Sequence, residues 1–229
     1  MKLFIYVEGQ EEELFVNRIL RNYLRAFGVI VQRPILAATS FRIGGYDAEI
    51  TVGGVTNYEA IREDIVNQFD TGDITAVDVL TTLVDLYGLP AQFPGHGESI
   101  QQGLTGSRKA VHVENAWKAD LCYANFFPYI QVHEFEALVL TRPSILSEFY
   151  PEYAAGIEQL RNECASFRTP EDINEVKATS PSHRILARVP TYRKIDGFRH
   201  LVDIGLAELK AHCPRFKAWV EQCERFFHQ

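Results

Sequence analysis

Sulfur chemistry is scarce in this chain. Its 229 residues hold four cysteines, Cys122, Cys164, Cys213 and Cys223, and no Cys-x-x-Cys pair. That spacing points to reduced core thiols in a cytoplasmic protein rather than to a disulfide framework or a zinc site. No apolar run approaches the ~20 residues of a bilayer span, so no membrane association is expected. The first residues also lack the pattern of a signal peptide. The phosphate-loop signature GxxxxGK(S/T) is missing, and the pairs Gly44-Gly45 and Gly53-Gly54 do not replace it, so no ATP site is implied. Positive charge is short as well: 23 Lys and Arg face 30 Asp and Glu, a net charge of −7. This argues against broad non-specific binding to nucleic acid, although clustered acidic metal ligands would themselves make the total more negative. With 46% hydrophobic and 12% aromatic residues, the chain can build the core of one large domain.

Apolar runs and amphipathic stretches alternate along the first part of the sequence. Leu3-Phe4-Ile5-Tyr6-Val7 reads as a buried strand, and Glu8-Gly9 as the turn into a helix. Phe15, Ile19, Leu20, Tyr23, Leu24 and Phe27 mark one helix face, which Gly28 closes. Val29-Ile30-Val31 begins an extended stretch that Pro34 interrupts. Residues 42–57 carry glycines among β-formers, which predicts a hairpin or an irregular strand pair. Thr56 or Asn57 caps the next helix, with Ile61, Ile65, Val66 and Phe69 as its buried stripe.

The apolar end of Ala76–Val84 is a second buried strand, finishing at Asp85. Residues 88–107 are rich in Gly and Pro and read as a long loop, of the kind usually functional or mobile. A helix near Lys109–Leu121 leads to a third strand, Phe126–Val132, and from about residue 137 the pattern is helical. Helices are predicted over Ala137–Leu140, Ile145–Phe149, Tyr153–Cys164, Ile185–Val189, Phe198–Leu209 and Pro214–Phe227. Trp117 and Trp219 sit at helical spacing among apolar neighbours, as core residues do. The fold class is therefore α/β: a mostly parallel sheet flanked by helices over residues 1–140, with a mainly helical part, 141–229, packed on it as one unit.

Acids stand where the strands end: Glu8 after the first, Asp85 after the second, Glu134 and Glu136 after the third. In a parallel sheet with helical crossovers these ends share the edge where ligands bind. Packing explains Glu8 poorly, because buried Glu is rare unless paired or metal-bound. Glu11, Glu12 and Glu13 read as first-turn acids favoured by the helix dipole. Hard divalent ions need oxygen ligands, and one or two carboxylates with waters and a phosphate suffice. Two such ions about 4 Å apart clamp both oxygens of a phosphodiester displacement. The bland alternative makes each acid a cap or a solvated turn.

His133-Glu134-Phe135-Glu136 admits two readings. In a continuing strand Glu134 and Glu136 share a face; in a helix His133 and Glu136 align. Glu134 can otherwise cap the following helix while His133 bonds a backbone carbonyl. The zinc-protease pattern HExxH is absent. Ser180-Pro181-Ser182-His183-Arg184, followed by Arg188, Tyr192, Arg193, Lys194 and Arg199, is the densest basic run. It either positions a phosphate backbone or pairs with the acids of Glu171–Glu175, and Lys194 is its foremost phosphate candidate.

Val7-Glu8-Gly9-Gln10-Glu11-Glu12 resembles the first motif of Toprim domains, the metal-dependent module of topoisomerases, primases and related nucleases. The resemblance implies that Glu8 acts at a metal site as acid or base, with Glu12 as an accompanying ligand. The second Toprim motif is Asp-x-Asp after a buried strand; here Asp85 matches and Tyr87 stands in place of the second Asp. With Thr81–Pro90, Tyr129–Leu140, Ser182–Gly197 and Cys213–Trp219, nearly the whole chain is similar to the Toprim-like family labelled domain of unknown function 4276. That likeness implies a Toprim-like, Rossmann-like fold and a nuclease-type component of prokaryotic antiviral defence, often associated with an ABC-type or AAA-type ATPase.

The leading expectation is Mg²⁺- or Mn²⁺-dependent phosphodiester hydrolysis of DNA or RNA. Glu8, Asp85 and Lys194 would carry the chemistry, and Glu8, Glu12, Asp85, Glu134 and Glu136 would face the metal. The alternative is a latent effector or sensor subunit held by an ABC- or AAA-type ATPase. A third is a phosphohydrolase acting on small phosphorylated molecules.

Overall fold

The computed structural model describes residues 1–37, 41–43, 46–48, 57–173 and 177–226. Parallel pairing organises it. β1 (Lys2–Val7) lies beside β6 (Val79–Asp85), in register from Leu3↔Val79 to Val7↔Leu83. On the far side of β1 run two short strands, β2 (Ile30–Val31) and β3 (Ile35–Leu36), either side of Pro34. On the far side of β6 run β7 (Phe126–Phe127) and β8 (Ile130–Gln131). All of these pairs are parallel. A separate antiparallel pair, β4 (Phe41–Ile43) with β5 (Tyr46–Ala48), falls at the start of the stretch 42–57 expected as a hairpin or irregular strand pair; Gly44-Gly45, and residues 49–56 with Gly53-Gly54, lie outside the described residues.

The third strand is not continuous as the sequence suggested. Pro128 has no N–H to offer, and it separates β7 from β8. Thr82 of β6 repairs the gap: its hydroxyl donates to the Tyr129 carbonyl at 2.7 Å and accepts the Tyr129 N–H at 2.9 Å. Thr81 does similar work, donating to the Phe127 carbonyl at 2.6 Å.

Strand alternation assigns the two faces. Leu3, Ile5 and Val7 join a core with Phe15, Leu20, Leu138, Ile185, Leu201, Phe216 and Trp219. Phe4 and Tyr6 point the other way, among Ile61, Ile65, Leu80, Val84, Trp117 and Phe126. The first face is covered by α1 (Gln10–Phe15), which continues through a π-helical turn (Val16–Leu20) into α2 (Arg21–Arg25), and by the C-terminal helices. The second is covered by α3 (Tyr58–Asp70), whose Asn57 cap accepts from the Glu59 N–H at 3.0 Å, and by α5 (Gly106–Leu121).

The stretch 88–107 is not one loop, because α4 (His96–Gln101) forms within it. Gly95 and Gly103 take left-handed backbone at φ +74° and +63°, so glycines that read as loop punctuation bracket a short helix. Beyond β8 come α6 (Glu136–Val139), α7 (Leu146–Phe149), α8 (Ala154–Cys164) and α9 (Pro181–Arg188). The last stretch, expected as one helix over Phe198–Leu209, breaks at Gly205 (φ +83°) into α10 (Gly197–Ile204) and α11 (Leu206–His212), before α12 (Pro214–Arg225). Among the described residues, no helix is long and apolar enough to cross a membrane.

Trp219 ties α12 to the sheet. Its ring stacks on Tyr129 at 4.7 Å between centroids, and its indole N–H donates to Thr81 Oγ1 at 2.9 Å. Trp219→Ala is expected to lower stability by about 3–5 kcal/mol, measured by urea unfolding at constant pH; a loss below 1 kcal/mol would mean α12 contributes little to the core.

Candidate functional site

Register brings the first two acids together. Because Val7 pairs with Leu83, the next residue, Glu8, comes level with the end of β6. Its N–H donates to the Leu83 carbonyl at 3.3 Å, and its Oε2 accepts the Asp85 N–H at 2.9 Å. The other Glu8 oxygen faces Gly88, where an added Cβ would stand 3.5 Å away. One residue on, Gly9 is extended and the helix starts; Glu12 folds back so that its Oε2 accepts the Gly9 N–H at 2.9 Å. The first-turn acids therefore differ from the expectation of a solvated turn. Glu11 and Glu12 are buried, at 8% and 6% exposure.

Burial and mutual repulsion set the electrostatics. Desolvation, then Glu8, Glu12 and Glu136, hold the Asp85 carboxyl well above the usual carboxylate range, against a hydrogen bond from the Phe135 N–H. Burial, then Glu8, push Glu12 from 4.5 to about 8. Glu11 is raised by burial, Glu136 and Glu12, with Lys194 opposing. Glu136 is raised by burial, again with Lys194 opposing. Lys194 Nζ lies 3.2 Å from Glu136 Oε1. Burial disfavours its charge, but Glu136, Glu134 and Asp85 outweigh that and raise its pKa. Glu8, Glu11, Glu12, Asp85 and Glu136 thus form one mutually repelling cluster with Lys194 as a cation at its side.

Glu134 has a different job. Its Oε2 accepts the Ser182 N–H at 2.9 Å and its Oε1 the Ser182 hydroxyl at 3.0 Å. It caps α9 rather than the helix that follows it, while its charge still reaches Glu136 and Lys194. The turn at His133, a non-glycine residue at φ +67°, separates these directions. Tyr87, in place of the second motif acid, donates its backbone N–H to the His133 carbonyl at 3.0 Å. Of the basic run, Lys194 alone ion-pairs with an acid of the cluster among the described residues. Arg184 and Arg188 pair with Glu163, and Arg193 and Arg199 with Asp196. Of the acids expected to pair with them, the described ones are engaged elsewhere: Glu171 accepts the Arg215 and Phe216 N–H groups and Asp172 pairs with Arg168, while residues 174–175 lie outside the described residues.

The sequence presents Glu11 only as a first-turn acid, Tyr192 only as a member of the basic run and Gly197 only as the end of the family-like stretch. Glu11 Oε1 and the Tyr192 hydroxyl are buried without a hydrogen-bond partner among the described residues. Both press on Gly197, where an added Cβ would meet them at 1.7 and 2.9 Å. The available signal was Gly197 itself, a glycine opening a helix beside a basic run.

The implied divalent ion can be tested against these donors. Among the described residues, no three His, Cys, Asp or Glu are grouped as they would be round one ion. The donor chemistry nevertheless fits a hard cation that keeps several waters, since every candidate is a carboxylate and such an ion needs only one or two of them. One or two of Glu8, Asp85 and Glu12 would hold it, with waters completing its shell, and Glu11 Oε1 is a buried oxygen in the same cluster without a hydrogen bond among the described residues.

Residues 7–224 match the family described as Domain of unknown function (DUF4276). The chain belongs to that family. No curated protein and no solved structure matches it at a significant level.

A pH effect follows from Glu12. Its folded-state pKa lies above its unfolded value, so the folded protein retains a proton that the unfolded chain loses between pH 4.5 and about 8. Stability in metal-free buffer should fall across that window, Glu12 alone adding up to roughly 1.4 kcal/mol per pH unit to the fall. Glu12→Gln keeps an acceptor for Gly9 and should flatten the fall. Thermal melts of both proteins from pH 5 to 8.5 measure it, and parallel curves would contradict the assignment.

Proposed function

We propose that this member of the DUF4276 family is a Toprim-like, divalent-metal-dependent phosphodiesterase acting on DNA or RNA, with Glu8 and Asp85 at its centre. The observation that carries the reading is the gathering of acids from two strand ends: the Asp85 backbone N–H donates to Glu8 Oε2 at 2.9 Å, and the Asp85 carboxyl feels the Glu8, Glu12 and Glu136 charges in a desolvated cluster. A bound Mg²⁺ or Mn²⁺ would supply Lewis-acid stabilisation of charge building on the phosphoryl oxygens. Glu8, held in place by the Asp85 N–H, accepts or delivers the proton at the attacking or leaving oxygen. Glu12 and Asp85, raised by their neighbours, would release their protons to a site holding a cation, which would relieve the repulsion. Lys194 is the protein's own positive charge for a phosphate. A role in prokaryotic antiviral defence belongs to the same proposal.

A latent form of this centre is the second reading, favoured by the Lys194–Glu136 pair, which places a protein cation against the acids. In that reading an ABC- or AAA-type ATPase partner holds the subunit inactive until released.

Three variants separate these readings in a cleavage assay with Mn²⁺ and both DNA and RNA. Glu8→Gln and Asp85→Asn should each lower the rate at least about 100-fold; cleavage equal to wild type in both would sink the hydrolase assignment. Lys194→Ala should lower the rate if the lysine serves the phosphate. A rise in basal rate would support the latent reading.

A further inference from the structure

Beside the acid cluster lies a cavity of opposite chemistry. It measures 260 Å³ and is walled by Leu86, Tyr87, His96, Ile100, Lys109 and His133. Its position follows from the sheet: Leu86 and Tyr87 come directly after Asp85, and His133 directly before Glu134. Helices α4 and α5 close the other side through His96, Ile100 and Lys109. None of these lining residues, all of them described, is acidic. Two are imidazoles, one is a lysine and one is a phenol, a set of donors suited to an anion.

One polar group here is poised rather than satisfied. His96 Nδ1 is buried without a hydrogen-bond partner among the described residues. Burial and the neighbouring Lys109 charge both lower the His96 pKa. An anion between the two would reverse the second effect. At the rim stand Tyr87 and Ile100, 37% and 60% exposed. They offer an aromatic face and an aliphatic surface within reach of the anion-binding groups. The volume is just below the ~300–1,000 Å³ of drug-sized pockets, enough for one nucleotide and too small for a base pair.

We propose that this cavity is a nucleotide subsite, which takes one phosphate and the unstacked base beside it from a single strand. Lys109 and His96 hold the phosphate, and Tyr87 stacks on the base. The inference rests on the phosphodiesterase reading for its place beside the scissile bond, and it names the substrate of that site as single-stranded nucleic acid. Tyr87 then has a task where the motif lacks its second acid: it grips the strand rather than the ion.

Binding without metal tests the subsite apart from the chemistry. The full-length protein in EDTA is titrated against fluorescent oligothymidylate and oligouridylate, an abasic strand of equal length, and the matching duplex, with inorganic phosphate as competitor. The normal strands should bind about tenfold more tightly than the abasic strand or the duplex. Tyr87→Ala should erase that preference while Tyr87→Phe keeps it. Lys109→Gln should weaken both single strands and reduce the salt slope by about 0.7. Equal affinity for normal and abasic strands, or wild-type behaviour in both Tyr87→Ala and Lys109→Gln, overturns the proposal. If strands bind with this preference yet none is cleaved with Mn²⁺, the hydrolase reading fails and the subsite stands.

Discussion

The parallel register of β1 on β6 is the constraint from which the rest follows. It fixes Glu8 one step beyond the last paired residue and level with the peptide N–H of Asp85, so a side chain from one strand completes the hydrogen bonding of the next. A shift of one residue would turn Leu3, Ile5 and Val7 away from the C-terminal helices and carry Glu8 to the opposite face. Both cores resist that shift, since each face of β1 is buried from end to end of its apolar run. The site inherits its precision from packing that has no chemistry of its own.

Around that bridge the fold concentrates negative charge in a desolvated setting. Such an arrangement is unfavourable unless protons, a lysine or a bound cation compensate it. The chain supplies the first two. Glu12 and Asp85 hold protons more tightly than ordinary carboxyls, and Lys194 reaches Glu136 from the segment before α10. Just across the strand ends the acids give way to one cation, Lys109, and two imidazoles, His96 and His133, round a cavity with no acid among its lining residues. A phosphate strand laid over this edge would meet both signs within a few residues of each strand.

Much of this was legible from residue order because it depends on short, strongly patterned segments. Apolar runs ending in acids identified β1 and β6, and Asn57 announced α3. The α/β class and its mostly parallel sheet followed from the same alternation. Where local signals compete, the reading failed: glycines around α4 looked like loop, and Pro128 inside an apolar run concealed a break that Thr82 repairs from a neighbouring strand. Glu11 was invisible as a buried acid because its burial depends on Gly197, 186 positions later. Glu134 belonged to α9 for the same reason, since no local pattern reveals a capping partner 48 residues away.

The π-helical turn at Val16–Leu20 has a consequence for how the first helix divides its duties. One extra residue in a turn rotates everything beyond it by about 100°. Ahead of the turn, Glu11 and Glu12 are aimed at the strand ends. Beyond it, Tyr23 meets Lys210 and Glu224 at 2.9 and 2.8 Å, on the flank held by α11 and α12. A regular helix of the same length would have to satisfy both directions with a single phase. The inserted residue uncouples them, so the acid-bearing end can be set to the geometry of the sheet edge while the far end follows the C-terminal helices, like two gears on one shaft with a slip joint between them.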